Sequence, residues 1–321
     1  MLANCKQRVA LWYVEWVVRA RSAMRPIVIA TRVGALLWMR ATWVALAAFG
    51  VWACGEREPS AAPRNEPSRM PGGGGTGYRE VEVTLGGSLY GRVTWVGERP
   101  PVVRASLGAG CTGDDALPLL TVGPRGGVAN AVVVLTGVSE GRAMSPGSAE
   151  LTFSDCRLAP HLIAVPRGTV LRFASSDPFL HNAHAVDAGG TSRFDVAVLP
   201  GGETAASLRL DEAGILLVRD DAGHPGTHAW IHVVDHPYFA VTDPGGAFRI
   251  EDVPVGRYTL MVWHEGVTSA GMDGSERPIV SPPIVLSRGV TVVSGQDTPA
   301  DFQLDLRLAA DAAADGTVGG R

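Results

Sequence analysis

The chain has 321 residues and a formal net charge of −4, long enough for two domains of ordinary size. Seven of its 28 basic residues but only one of its 32 acidic ones lie in residues 1–53, so the remainder carries 21 basic against 31 acidic groups. That acidic balance excludes a nucleic-acid partner.

Residues 1–53 read as a signal and targeting segment. Met39 and Arg40 open the run "ATWVALAAFGVWAC", a basic start with about a dozen apolar residues behind it, where a membrane span needs roughly 20. Its last four residues, Val51 to Cys54, resemble a bacterial lipobox. The resemblance implies a lipid on Cys54 as the first mature residue and a true start at Met24 or Met39; a plain N-terminal anchor helix is the alternative. Residues 54–78, rich in Pro, Gly, Ser and charge, read as the lipidated cysteine and a flexible linker, and residues 307–321 as a disordered tail. Cys5 falls in the discarded segment and Cys54 takes the lipid. That leaves Cys111 and Cys156 as a disulfide in an oxidising compartment, and neither sits in CxxC or CxxCH.

Between these ends short apolar runs such as "NAVVVLTG", "GILLVRD", "AWIHVV" and "RYTLMVWHE" alternate with Gly, Pro and Asp, without a 3.6-residue period. This pattern predicts an all-β protein built of sandwiches. In "HPGTHAWIHVVDH" the histidines at 224, 228, 232 and 236 recur every four residues, a spacing that fits one face of a helix or one face of a strand. Pro225 and Gly226 break a helix, whereas Trp230, Ile231, Val233 and Val234 favour a strand. The prediction is a strand from about His228 to Val234, with His224 in the loop before it and His228 and His232 on a solvated face.

Two parts of the pattern resemble known families. "SLYGRVTWVGERP" and "VTDPGGAFRIEDVPVGRYTLMVWHEG" resemble the carboxypeptidase regulatory-like domain, a transthyretin-like sandwich, through Gly246, Phe248, Ile250, Val253, Pro254, Gly256, Tyr258, Leu260, Trp263, His264 and Glu265. The stretch reads as a hairpin with Phe248, Ile250, Tyr258 and Leu260 inward around a Pro-Gly turn. "CRLAPHLIAVPRGTVLRFASSDPFLHNAH" and "DDAGHPGTHAWIHVVDHPYFAVTD" resemble bacterial exported plastocyanin-like proteins, that is, cupredoxins. Together the resemblances imply a cupredoxin-like Greek-key sandwich over 149–236, inserted in or packed on a regulatory-like sandwich formed by 79–138 and 238–306.

The cupredoxin resemblance carries a ligand set, and this sequence keeps only part of it. The two histidines map onto His181 and His224, the cysteine position onto Asp221 and the methionine position onto Thr227. A blue-copper site needs that thiolate. What it implies here is a type 2-like copper site or a zinc site made by His181, His224 and Asp221, with His184 as a fourth ligand, or a sandwich that holds no metal. Among the other histidines, His161 reads as a structural residue, and His264 and Glu265 as braces between the two sandwiches. Enzymatic motifs fail: "WHEG" lacks the second histidine of HExxH, with Thr268 in its place, and no GxSxG or phosphate loop occurs in a βαβ setting. The expected function is non-enzymatic: a periplasmic-facing lipoprotein with an accessory redox or copper-handling role. A metal-free module that binds a protein or glycan at the envelope is the alternative.

Overall fold

The computed structural model describes residues 77–112, 115–202 and 207–315. The signal segment and Cys54 lie outside the described residues, as does the linker up to residue 76. The expected all-β architecture is present as two sandwiches, each with its own core.

Core alternation fixes the first sandwich. In β1 (Gly86–Trp95) Leu89, Val93 and Trp95 point inward while Ser88 and Tyr90 do not, the period-2 signature of a strand with one wet face. β2 (Val132–Thr136) has no wet face: Val133 and Leu135 enter the first core and Val132 a second layer behind it. That double burial explains the unbroken apolar run "AVVVL".

The second sandwich follows, with β3 (Ser148–Ser154), β4 (Arg157–Ala159), β5 (Leu162–Pro166), β6 (Val170–Ser175), β7 (His181–Asp187), β8 (Ser192–Val198), β9 (Leu208–Arg209), β10 (Gly214–Asp220) and β11 (His228–Val234). They form a five-stranded sheet in the order β8-β7-β10-β11-β5 and a four-stranded sheet in the order β9-β6-β3-β4. Neighbours that are not consecutive in sequence, including the parallel pairs β11 with β5 and β3 with β6, require the chain to cross between sheets as a Greek key does. The chain then returns to the first sandwich with β12 (Phe239–Val241), β13 (Ala247–Pro254), β14 (Gly256–His264), β15 (Ile284–Val292), β16 (Asp297–Pro299) and β17 (Phe302–Leu304).

Four findings differ from the sequence reading. First, β13 and β14 are not a hairpin. β13 pairs with β1, and β14 with β2 and β15, so the Pro254–Gly256 turn arches from one sheet to the other. Phe248 and Ile250 thereby face Leu260 across the core instead of along one sheet. Second, the tail is ordered at its start: Leu306–Asp315 form helix α1, where the Asp305 carboxylate accepts the Arg307 and Leu308 N–H groups and Ala309 is buried on the first core. Third, Tyr78, placed by composition in the linker, packs on that core and its hydroxyl donates to the Arg142 carbonyl at 2.6 Å.

The fourth concerns the histidine face of β11. The strand spans the predicted residues, with Ala229, Ile231 and Val233 in the second core. Its other face is not solvated. Trp230 packs with Leu162 and Ile215 against Val132 and Trp263 of the first sandwich, and the His232 ring meets Trp263 edge-on at 4.3 Å. The two sandwiches therefore share a third apolar layer, which a reading of one strand alone does not reveal.

Candidate metal centre

β7 and β10 deliver the site. Along β7, His181, Ala183 and Ala185 are buried while Asn182 and His184 lie on the opposite face. Along β10, Leu216, Val218 and Asp220 point inward by the same alternation, and Asp221, one step further, is exposed. The inward ends of the two strands meet. His181 Nδ1 lies 2.5 Å from Asp220 Oδ2, and His224 Nδ1, from the loop after β10, lies 2.9 Å from the same oxygen.

This geometry corrects the ligand set in two places. Asp220 takes the carboxylate position that sequence spacing gives to Asp221. Asp221 instead pairs outward with His184 at 2.6 Å, accepts from Arg277 and forms an ion pair with Arg219, so both residues belong to a surface ion network. The signal was available in strand parity, because Val218 is a core residue and Asp220 is two positions on. Counting back from His224 by the Cys-x-x-His spacing hides it. Thr227, at the methionine position, is buried and donates to the Cys156 carbonyl.

Behind His181 stands Asp177, four residues earlier in the chain. His181 Nε2 lies 2.9 Å from Asp177 Oδ2, and the Asp177 carboxylate also accepts the Asp155 and Cys156 N–H groups. Asp220 Oδ1 accepts the N–H groups of Asn182 and Ala222 at 3.0 and 2.8 Å. Burial alone would raise the Asp220 carboxyl, but the bond to His181 and these two amides hold it below the ordinary aspartate range. For His181 burial favours the neutral ring, and the bonds to Asp220 and Asp177 outweigh it, so its pKa is raised. Aromatic rings close the walls: Phe153 stacks on His181 at 4.3 Å and Phe179 on His224 at 5.1 Å.

A strap covers the His224 end. The Gly226 N–H donates to the Ser106 carbonyl, and a side chain at Gly108 would collide with the Gly223 carbonyl and the His224 ring. The strap is pinned by the Cys111–Cys156 disulfide, as the cysteine count predicted. With both sulfurs paired, this site has no thiolate.

The donor set fits a divalent ion. Two imidazole Nδ1 atoms converge on one carboxylate oxygen, and the far nitrogen of His181 is held by a second carboxylate. That carboxylate–histidine pairing is the usual support of a metal-bound imidazole. His181, Asp220 and His224 could together ligate one ion, with ligand atoms within 4.8 Å of one another. Two imidazoles and a hard carboxylate suit Cu(II) or Zn(II) and lack the soft sulfur that balances Cu(I) with Cu(II).

Comparison with known proteins adds the following. Residues 217–305 match the carboxypeptidase regulatory-like domain. The match begins inside β10, a strand of the second sandwich, and the strands at Gly86–Trp95 and Val132–Thr136 that complete the first sandwich lie outside it. No curated protein matches the chain. Among solved structures, a purple cupredoxin from Nitrosopumilus maritimus is 18% identical over 26% of this chain and 98% of its own, with a TM-score of 0.24. A mutant amicyanin in its reduced Cu(I) form is 16% identical over 32% of this chain and 97% of its own, also at 0.24. A copper-containing nitrite reductase from Thermus scotoductus is 20% identical over 29% of this chain and 23% of its own, at 0.25.

Proposed function

We propose that this chain is a non-enzymatic metal-binding protein of the cell envelope, held at the membrane through a lipid on Cys54, with one divalent ion ligated by His181, His224 and Asp220. One observation carries the reading: His181 Nδ1 and His224 Nδ1 both point at Asp220 Oδ2, with Asp177 behind. Copper(II) is the preferred ion because nitrogen and oxygen sites bind it more tightly than zinc(II), its alternative. Without a thiolate the site favours the divalent ion over Cu(I), so the role is copper handling or an accessory to redox partners.

The test is metal content of the full chain after loading with Cu(II) and Zn(II). His224→Ala should lose the ion and its Cu(II) spectrum while the disulfide and near-UV dichroism persist; unchanged metal content would contradict the assignment. A second reading, a metal-free interaction module at the envelope, has its own support. His181 already bonds carboxylates through both nitrogens, and the strap closes the site. Wild-type protein with no metal above background would favour it and direct the search to a protein or glycan partner.

A further inference from the structure

A second buried carboxylate, away from this centre, also gathers two histidines. Glu265 follows β14, where the next residue, Gly266, passes so close to Ser281 that any side chain would strike its carbonyl. That tight passage aims Glu265 into the seam between the sandwiches. His161 Nε2 bonds Glu265 Oε1, His228 Nε2 lies 3.3 Å from Oε2, and the Trp230 indole donates to Oε2 at 2.9 Å.

The far sides of both imidazoles are tied to backbone. His228 Nδ1 donates to the Gly226 carbonyl at 3.3 Å, and His161 hydrogen-bonds the backbone of His228. Both Nε2 atoms are thereby turned toward the two oxygens of one carboxylate, the convergence that a shared ion requires.

We propose that His161, His228 and Glu265 form a second divalent-metal site, able to hold zinc(II), that clamps one sandwich to the other. Two imidazoles and one carboxylate leave one tetrahedral position for water, a recognised zinc arrangement. The seam offers that opening, since the side chains of His161 and His228 are 10% and 15% exposed while Glu265 is 5% exposed. The ligand atoms already lie within 4.8 Å of one another, and the Trp230 indole and the Gly226 carbonyl are the outer partners that would orient the ligands. Ligands from both sandwiches make the ion a cross-link, so its binding opposes their separation.

The experiment isolates this site from the first. The full chain carrying His181→Ala and His224→Ala together is stripped with chelator, titrated with zinc(II) alone, and assayed for bound zinc and thermal midpoint. The expected result is one equivalent of zinc per chain, a raised midpoint, and at least a 100-fold loss of zinc affinity on adding either His228→Gln or Glu265→Gln. His228→Gln keeps a partly exposed position polar, and near-UV dichroism confirms that the seam tryptophans stay packed. Absence of zinc from the double variant while its fold is intact would overturn the proposal. So would zinc affinity unchanged by His228→Gln. Loss of metal from the first centre alone leaves this site untouched, so the two readings fail separately.

Discussion

Two buried carboxylates, Asp220 and Glu265, each gather a pair of histidines, and they differ in what else they hold. Asp220 also accepts two backbone N–H groups, and His181 beside it is anchored on its far side by Asp177. Its place is set by the backbone of two strands, so the imidazoles come to a carboxylate that is already fixed. Among the described residues the Glu265 carboxylate meets no backbone donor, only the two imidazoles and the Trp230 indole. Its charge is offset by side chains from the opposite sandwich. The first cluster therefore belongs to the interior of one module, and the second reports whether two modules are joined.

The sharpest way to break this comparison is to remove each carboxylate. Asp220→Ala strands two amides and leaves His181 with one acid, and should cost about 3–5 kcal/mol in denaturant unfolding. Glu265→Gln leaves an amide oxygen for the Trp230 donor and no backbone group orphaned, and should cost less, about 1–3 kcal/mol. Equal losses would mean that the backbone amides do not distinguish the sites. The strap falls between the two: replacing Cys111 and Cys156 by Ser together should lower stability by about 2–4 kcal/mol. It should also speed metal exchange at His224 over Gly108, measured by chelator competition.

His232 sharpens the seam side of the comparison. Its ring is buried against Trp263, and among the described residues neither nitrogen finds a hydrogen-bond partner, so burial lowers its pKa to about 3. The unfolded chain binds a proton there below about pH 6.5 and the folded chain does not, so stability falls as pH drops through the window from about 6.5 to about 3. The slope is about 1.4 kcal/mol per pH unit. His232→Phe should remove that slope, so that at pH 4.5 it gains about 2–3 kcal/mol on wild type relative to the difference at pH 8. Parallel pH profiles would show that the ring is not held neutral. His181 acts in the opposite sense, because its raised pKa contributes stability that is present at low pH and lost as pH rises through the folded value.

Much of this was legible in sequence, because period-2 alternation survives in any strand with one wet face. It located β11 to the residue, and the cysteine count predicted the disulfide. Three things were not legible. The outer face of β11 looked solvated because the apolar surface that covers it, Trp263 and Val132, comes from distant parts of the chain. The arch at Pro254 looked like a hairpin because alternation fixes which side chains point inward but not which strand pairs with which. Asp221 was chosen over Asp220 by loop spacing, although Leu216 and Val218 already set the inward parity of that strand.

The smallest predicted effect supplies the most direct test. Asp221→Ala touches only a surface network and should change stability by less than about 0.5 kcal/mol. Bound copper per full-length chain should be measured by mass spectrometry for wild type, Asp221→Ala and Asp220→Ala under one loading protocol. The account predicts that Asp221→Ala retains the wild-type content and that Asp220→Ala holds one equivalent less. Loss of copper in Asp221→Ala with retention in Asp220→Ala would contradict it.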